Sequence, residues 1–325
     1  MDSITQIALG ATVAASVGFK PFGRKVLLAG AALGTLPDLD VIIDYGNAID
    51  NYTSHRGFSH SLFVLTLLSL PLYFITLKLR PHFKTDKSAL FLVIFLPLLT
   101  HPLLDTFTTY GTQLLWPFTS PPIAWHSIFI IDPLYTLPLL ISMLFLWFST
   151  NKQRGLTINI FALLLSCAYL TWGQIAQANI TAHVKQDSLV GNGKLLVMPT
   201  PFNTVYWRVL SYQDDSYHEA FTYVGDKKPL QWTSYNSNRY LLKDSQPTLL
   251  PRLEWFSHSW LRFDEVDGKL QITDLRLGVA GFHPFTFVIA QKQGEEWEAI
   301  EPQQIRMDTD KQQLFVMLLK DKIGL

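Results

Sequence analysis

An α-helical transmembrane bundle of about six helices, the first two short, followed by a mostly β soluble domain, is the fold class this 325-residue chain predicts. Three observations carry it. Residues 1–178 contain no glutamate and few charges of any kind, whereas the remainder is charged and polar. The first part holds apolar runs near spanning length. The second holds short stretches rich in aromatic and β-branched residues, separated by turn residues. The length leaves room for about two domains, placed here at residues 1–178, a multi-pass membrane domain, and 179–325, a mostly β domain. The 26 basic and 26 acidic side chains balance, which speaks against nucleic acid as a partner. The single cysteine, Cys167, excludes a disulfide framework or a cysteine zinc motif.

The six apolar segments run over residues 4–19, 26–37, 61–79, 88–104, 133–149 and 156–178. The third, fifth and sixth approach the ~20 residues that a spanning helix needs. The first begins Met-Asp-Ser-Ile-Thr-Gln, without the positive n-region of a secretory signal, and reads as a retained helix. The first two segments are short, with Gly10 and Ala14 spaced by four and Gly30 and Gly34 likewise. That spacing lets helix backbones approach closely and predicts a tight hairpin buried within the bundle, or a re-entrant pair. Lys20, Arg24, Lys25, Lys78, Arg80, Lys84, Lys87, Lys152 and Arg154 all fall in loops of one side if six helices span, which makes that side cytoplasmic. Loops 38–60 and 105–132 and everything after residue 178 then face outward. Beyond residue 180, Thr204 to Tyr212, Tyr217 to Val224, Lys269 to Leu275 and Phe285 to Ile289 read as strands, and Pro199 to Asn203 as a rigid turn.

Ionisable residues inside an apolar half are functional candidates. His101 and Asp105, four apart, share one face of the fourth helix, and Pro102 between them predicts a bend or restart. A hydrogen-bonded pair tying helices together is the alternative. Asp38 and Asp40 follow Pro37 at the outer tip of the second helix, where a solvated cap is the competing reading. His55 and His60 flank Gly57 just before the third helix. By the same topology all six side chains reach one membrane face, together with His126 and Asp132; for Asp132 a cap, a ligand or a ligand-orienting role stays open. Imidazoles and carboxylates together suit zinc, manganese or iron, and the count exceeds one tetrahedral ion, so one or two ions fit. A divalent metal lowers the pKa of its water to about 7 and polarises phosphoryl or carbonyl oxygens.

Arg56 is the one basic residue of the outer loops in the membrane half. Its guanidinium suits two-pronged binding of a substrate phosphate, which makes it the candidate catalytic side chain, or else pairs with Asp44 or Asp50. Thr108, Thr109 and Tyr110 are candidates for orienting ligands, and Trp116 and Phe118 for interfacial anchors. His183, His218, His258 and His283 lack ligand spacing.

Leu36-Pro-Asp-Leu-Asp40, His55-Arg-Gly-Phe-Ser-His-Ser61, Thr100-His-Pro-Leu-Leu-Asp105, Thr108-Thr-Tyr-Gly111 and Trp116-Pro-Phe118, with Asp2 to Gly10, resemble the YdjM-like family of inner-membrane proteins described as metal-dependent hydrolases. The resemblance covers about the first 150 residues. It implies metal ligation by Asp38, Asp40, His55, His60, His101 and Asp105. Relatives commonly carry histidine after the N-terminal threonine, where this chain has Gln6. That difference removes one ligand or leaves a neutral hydrogen-bonding substitute.

The expectation is therefore an integral-membrane, metal-dependent hydrolase of the bacterial cytoplasmic membrane with an extracytoplasmic C-terminal domain. Its expected substrate is a phospholipid or lipid-linked phosphoester at the outer face, with the β domain restricting access or recruiting a protein partner. A transporter or ion-handling protein using the same cluster, and a scaffold with a structural metal, are the alternatives.

Overall fold

The computed structural model describes residues 1–118, 120–242, 247–279, 282–294 and 296–305. Contacts divide the chain into two units, Met1–Ile43 with His55–Ile175, and Asp44–Ser54 with the chain from Ala176.

In the first unit, helix α1 (Ser3–Phe22) starts where the Asp2 carboxylate accepts the backbone N–H groups of Ile4 and Thr5, and stops at Gly23 with φ 71°. Small residues fill its middle, and from Ala8 to Ala15 every residue is buried. Helix α2 (Lys25–Thr35) lies against it with backbones in contact. A Cβ on Gly10 would stand 2.8 Å from Gly34 Cα, and one on Gly34 would stand 2.6 Å from the Gln6 carbonyl oxygen. The hairpin expected from the glycine spacing is therefore present, but only α1 is enclosed. Helix α2 spends its glycine stripe on α1 and leaves Leu28 on an exposed face.

Helix α3 (Ala48–Ser54) belongs to the second unit. Helices α4 (Leu62–Leu79), α5 (Lys87–Asp105), α6 (Pro133–Phe148) and α7 (Lys152–Val184) complete the first, α7 through Ile175. Each of the six apolar segments is thus helical. Among the described residues three stretches are long and apolar enough to cross a membrane, Leu62–Leu79, Phe83–Asp105 and Lys152–Val184. The fourth segment takes the place expected for the fifth. A turn at Pro81–Asp86 carries helix directly into α5, whereas the Asp132 cap and Pro133 fix the start of a 16-residue α6. Helix α5 runs through Pro102 to Asp105 without a restart. Helix α7 continues past residue 178, because Gln174, Gln177 and Asn179 end its hydropathy but not its helix propensity.

The second unit contains two antiparallel meanders. One is β1 (Lys194–Pro199), β2 (Tyr206–Gln213), β3 (Ser216–Tyr223) and β4 (Thr233–Asn236). The other, after helix α8 (Leu250–Ser257), is β5 (Leu261–Val266), β6 (Lys269–Asp274), β7 (Thr286–Gln293) and β8 (Glu296–Gln304). Asp267-Gly268, both at positive φ, closes the β5–β6 hairpin in the manner of a type I′ turn. Trp207, Val209 and Leu210 of β2 and Phe263, Ile272 and Phe287 of the second sheet are buried. Helix α3 joins this unit through Tyr52, whose ring stacks on Phe285 and whose hydroxyl donates to Asp274 at 2.9 Å. Asp50 pairs with Arg252 at 2.9 Å.

Candidate metal centre

Two turns and one helix end build the site, all within the first unit. Pro37–Ile42, a 3-10 turn continuing α2, carries Asp38 and Asp40. Phe58–His60, a second 3-10 turn, carries His60 just before the Ser61 cap of α4. The last turn of α5 presents His101 and Asp105 on one face, as their spacing requires.

Asp38, His60, His101 and Asp105 converge, with one donor atom of each within 4.8 Å of all the others. The Nε2 atoms of His60 and His101 are 3.1 Å apart. Asp38 Oδ1 is 3.4 Å from each of them. Asp105 Oδ2 is 3.3 Å from His60 Nε2 and 3.6 Å from His101 Nε2. Four donors bonded to one ion at the ~2.0–2.1 Å usual for zinc stand about 3.3 Å from one another on a tetrahedron. These five separations, 3.1–3.6 Å, match that spacing.

The surrounding hydrogen bonds fix which atoms face inward. His101 Nδ1 lies 2.5 Å from the Gly34 carbonyl oxygen, which only accepts, so the proton is on Nδ1 and the Nε2 lone pair points into the cluster. Ser59 donates its single hydroxyl proton to Asp40 Oδ2 at 2.6 Å. It therefore accepts from His60 Nδ1 at 2.9 Å, and His60 Nε2 also turns its lone pair inward. Asp105 Oδ1 accepts from the Gln6 amide at 3.1 Å and from the Met1 amine. Asp105 Oδ2 is buried without a hydrogen-bond partner. The donors present fit a divalent cation, because two imidazole and two carboxylate lone pairs meet there, with positive charge beside Asp105 alone, from Arg56 and the Met1 amine.

The same crowding shifts the titration of the loop residues. Burial alone would lower the His60 imidazole, but the Asp105 and Asp38 carboxylates beside it hold it above its ordinary value. Burial would raise the Asp38 carboxyl, and the His101 and His60 imidazoles beside it hold it well below the usual range instead.

Asp40 and His55 stand beside this group of four. Asp40 Oδ1 accepts from His55 Nδ1 at 2.8 Å, and its Oδ2 accepts the Arg56 N–H at 3.0 Å. Burial opposes ionisation of Asp40, yet the His55 hydrogen bond and charge hold its carboxyl below the ordinary value. Of the six side chains that the resemblance joins as ligands, four converge in one group that could hold a metal ion, and Asp40 uses its oxygens to hold the second turn. Arg56 is buried at φ 60°, a strained conformation for a side chain other than glycine, and its carbonyl accepts from Gln113 at 3.0 Å. Its partner is Asp105, with Nε 3.3 Å from Oδ2, rather than Asp44 or Asp50. Thr108 accepts from Arg56 Nη1 at 3.1 Å and donates to the Asp105 carbonyl at 2.7 Å. The Tyr110 ring lies 5.1 Å from the guanidinium carbon.

Asp132 caps α6 and accepts from Tyr169 at 2.9 Å, and neither it nor His126 joins the cluster. Ser59 and the Gly34 carbonyl were missed in the sequence. The serine beside His60 was a usable signal, whereas a backbone acceptor leaves none. Gln6 serves as an amide donor to Asp105 and to the His101 carbonyl.

The chain is 35% identical over 119 residues to the inner membrane protein YbcI of Escherichia coli (strain K12), a span of 36% of this chain and 67% of that protein. It is 30% identical over 140 residues to the uncharacterized protein YfhP of Bacillus subtilis (strain 168), covering 41% of this chain and 42% of that protein. No solved structure matches. Residues 1–180, more than half of the chain and inclusive of every side chain in the cluster, match the family described as YdjM inner membrane protein. With that match and its apolar helices, the chain belongs to the YdjM inner membrane protein family and is a protein of the inner membrane.

Proposed function

We propose that the protein is a metal-dependent hydrolase acting on a phospholipid or lipid-linked phosphoester at the outer face of the inner membrane. The observation that carries this reading is the convergence of four lone pairs, from Asp38, His60, His101 and Asp105, in a largely buried site. A divalent metal there, zinc by the donor set with manganese or iron as alternatives, supplies Lewis acidity and an activated water.

The chain's own residues complete the assignment. Asp38, with 22% of its side chain exposed, is the open edge of the cluster, while the other three donors are fully enclosed. Leu39, Val41 and Ile42 alternate with the two aspartates on the same turn and are 53, 73 and 81% exposed. An apolar rim beside a polar centre suits a substrate with acyl chains. Arg56 holds Asp105 and sets positive charge next to the donors, which favours an approaching phosphoryl oxygen. His55, oriented by Asp40 and 27% exposed, is placed to give the leaving group its proton. The lysine and arginine bias of the loops supports an outward-facing site and an extracytoplasmic β unit, which is free to control access or engage a partner.

The test is metal analysis of the purified full chain together with turnover of phospholipid and phosphoester substrates, for wild type and His101→Ala. Stoichiometric metal and turnover, both lost in the variant, support the proposal. Metal-free wild-type protein overturns it. Bound metal without turnover of any such substrate replaces it with a structural metal.

A further inference from the structure

At the end of the first unit remote from the metal centre, α2, α4 and α5 enclose a groove of about 960 Å³ beneath the α1–α2 turn. Sixteen residues of α1, about 24 Å of helix, separate Phe22 at this groove from Gln6 at the cluster. The groove is therefore no extension of the candidate active site. Its walls are apolar, formed chiefly by Leu33, Leu72, Val93 and Ile94, and Phe83 closes one end by an edge contact with Phe22. The lining residues of α4 continue into its outward surface, where Phe74, Ile75 and Leu79 are exposed. That surface faces hydrocarbon in any bilayer that α4 crosses.

The groove is also lined by Arg24, Lys25 and Lys152. All three are exposed, and among the described residues none is paired with a carboxylate. Arg24 donates to the Ser149 carbonyl at 2.9 Å, which holds its guanidinium at the groove mouth. An apolar slot of acyl-chain character lined also by three cations matches one class of molecule in both its parts. We propose that this groove binds an anionic phospholipid of the surrounding bilayer, with its acyl chain along α2 and α5 and its headgroup on Arg24, Lys25 and Lys152. Basic pockets between transmembrane helices recognise acidic headgroups by the same arrangement. The site is independent of the metal centre and of the reaction proposed there.

Native mass spectrometry of the delipidated full chain in detergent, titrated with phosphatidylglycerol or phosphatidylcholine, tests the assignment. Phosphatidylglycerol is expected to bind in preference to phosphatidylcholine, and glycerol 3-phosphate alone is expected to compete poorly. Lys25→Glu with Lys152→Glu should weaken phosphatidylglycerol binding by about tenfold or more while leaving phosphatidylcholine unchanged. Ala29→Trp, which fills the groove from its exposed rim, should weaken both lipids. The lysines are at the surface, so the charge variant should fold, with Lys25→Gln as the milder substitute if it does not. Equal binding of the two lipids, indifference to both variants, or glycerol 3-phosphate binding as well as the whole lipid overturns the proposal. So does a wild-type dimer that Ala29→Trp converts to monomer without changing lipid binding, which would make the occupant a second copy of this chain.

Discussion

Both units bury charged side chains, and they do so in opposite ways. In the second unit Asp274 is met by the Arg276 fork, with Nε 3.0 Å from Oδ1 and Nη2 2.7 Å from Oδ2, and its Oδ2 also accepts from Tyr52. Glu219 is likewise paired with Arg208, which donates onward to the Leu275 carbonyl at 2.8 Å. These acids are satisfied, and only one nitrogen of each guanidinium lacks a partner. In the first unit the inward atoms of Asp38, His60, His101 and Asp105 are all acceptors in the tautomers that their neighbours impose. Burial of charge is common to both regions. What separates a structural ion pair from a ligand set is whether donors and acceptors balance.

The most severe way to break the contrast is to remove one inward lone pair. His101→Ala should lower metal affinity by more than about 100-fold, beyond what loss of an outer partner costs, as read by metal analysis after chelator competition. Arg276→Ala should leave metal content intact and destabilise the protein by roughly 3–5 kcal/mol, because Asp274 is left buried and uncompensated. Denaturant unfolding of the full chain measures this, and a loss of metal in that variant would erase the distinction between the units.

A pH titration sharpens the comparison from the other side. His283 is buried, and burial followed by the nearby Arg208 charge lowers its imidazole from 6.5 to about 4. The unfolded chain takes up this proton first. The contribution is therefore complete above pH 6.5 and is lost as pH falls towards 4, amounting to about 3 kcal/mol at most. His283→Gln should flatten the fall of melting temperature over that window, and an unchanged slope would rule this histidine out as the source.

The smallest effect is expected at Asp40, which touches His55, Ser59 and the Arg56 amide rather than the converging atoms. Asp40→Asn should weaken metal binding about 10–100-fold, less than loss of a direct ligand. An effect as large as that of His101→Ala would make Asp40 a ligand after all.

How much of this was legible in the sequence depends on the range over which each signal acts. Hydropathy located the apolar helical stretches, three of them long enough to cross a membrane, and alternation located β2, β3, β6 and β7, because both patterns are written into neighbouring residues. The spacing of His101 and Asp105 gave their shared face for the same reason. The partner of Arg56 was not legible, since Asp44, Asp50 and Asp105 are chemically alike and only the fold brings Asp105 to it. Nor was the allegiance of α3 to the second unit, which rests on Tyr52 meeting Asp274 more than two hundred residues away. The division between Asp38, which faces the cluster, and Asp40, which holds the neighbouring turn, depends on a 3-10 turn that a strand-like alternation of acids does not reveal.

Gly34 joins two of these scales. Its missing side chain lets α2 rest on the α1 backbone, and its carbonyl oxygen sets the proton of His101. A pair of helices that has not yet closed cannot offer that oxygen in the right place, so the imidazole is left without its assigned tautomer. On the function proposed above, metal uptake would wait on completed assembly of the membrane unit, and an ion in the site would serve as a record that the first two helices had come together.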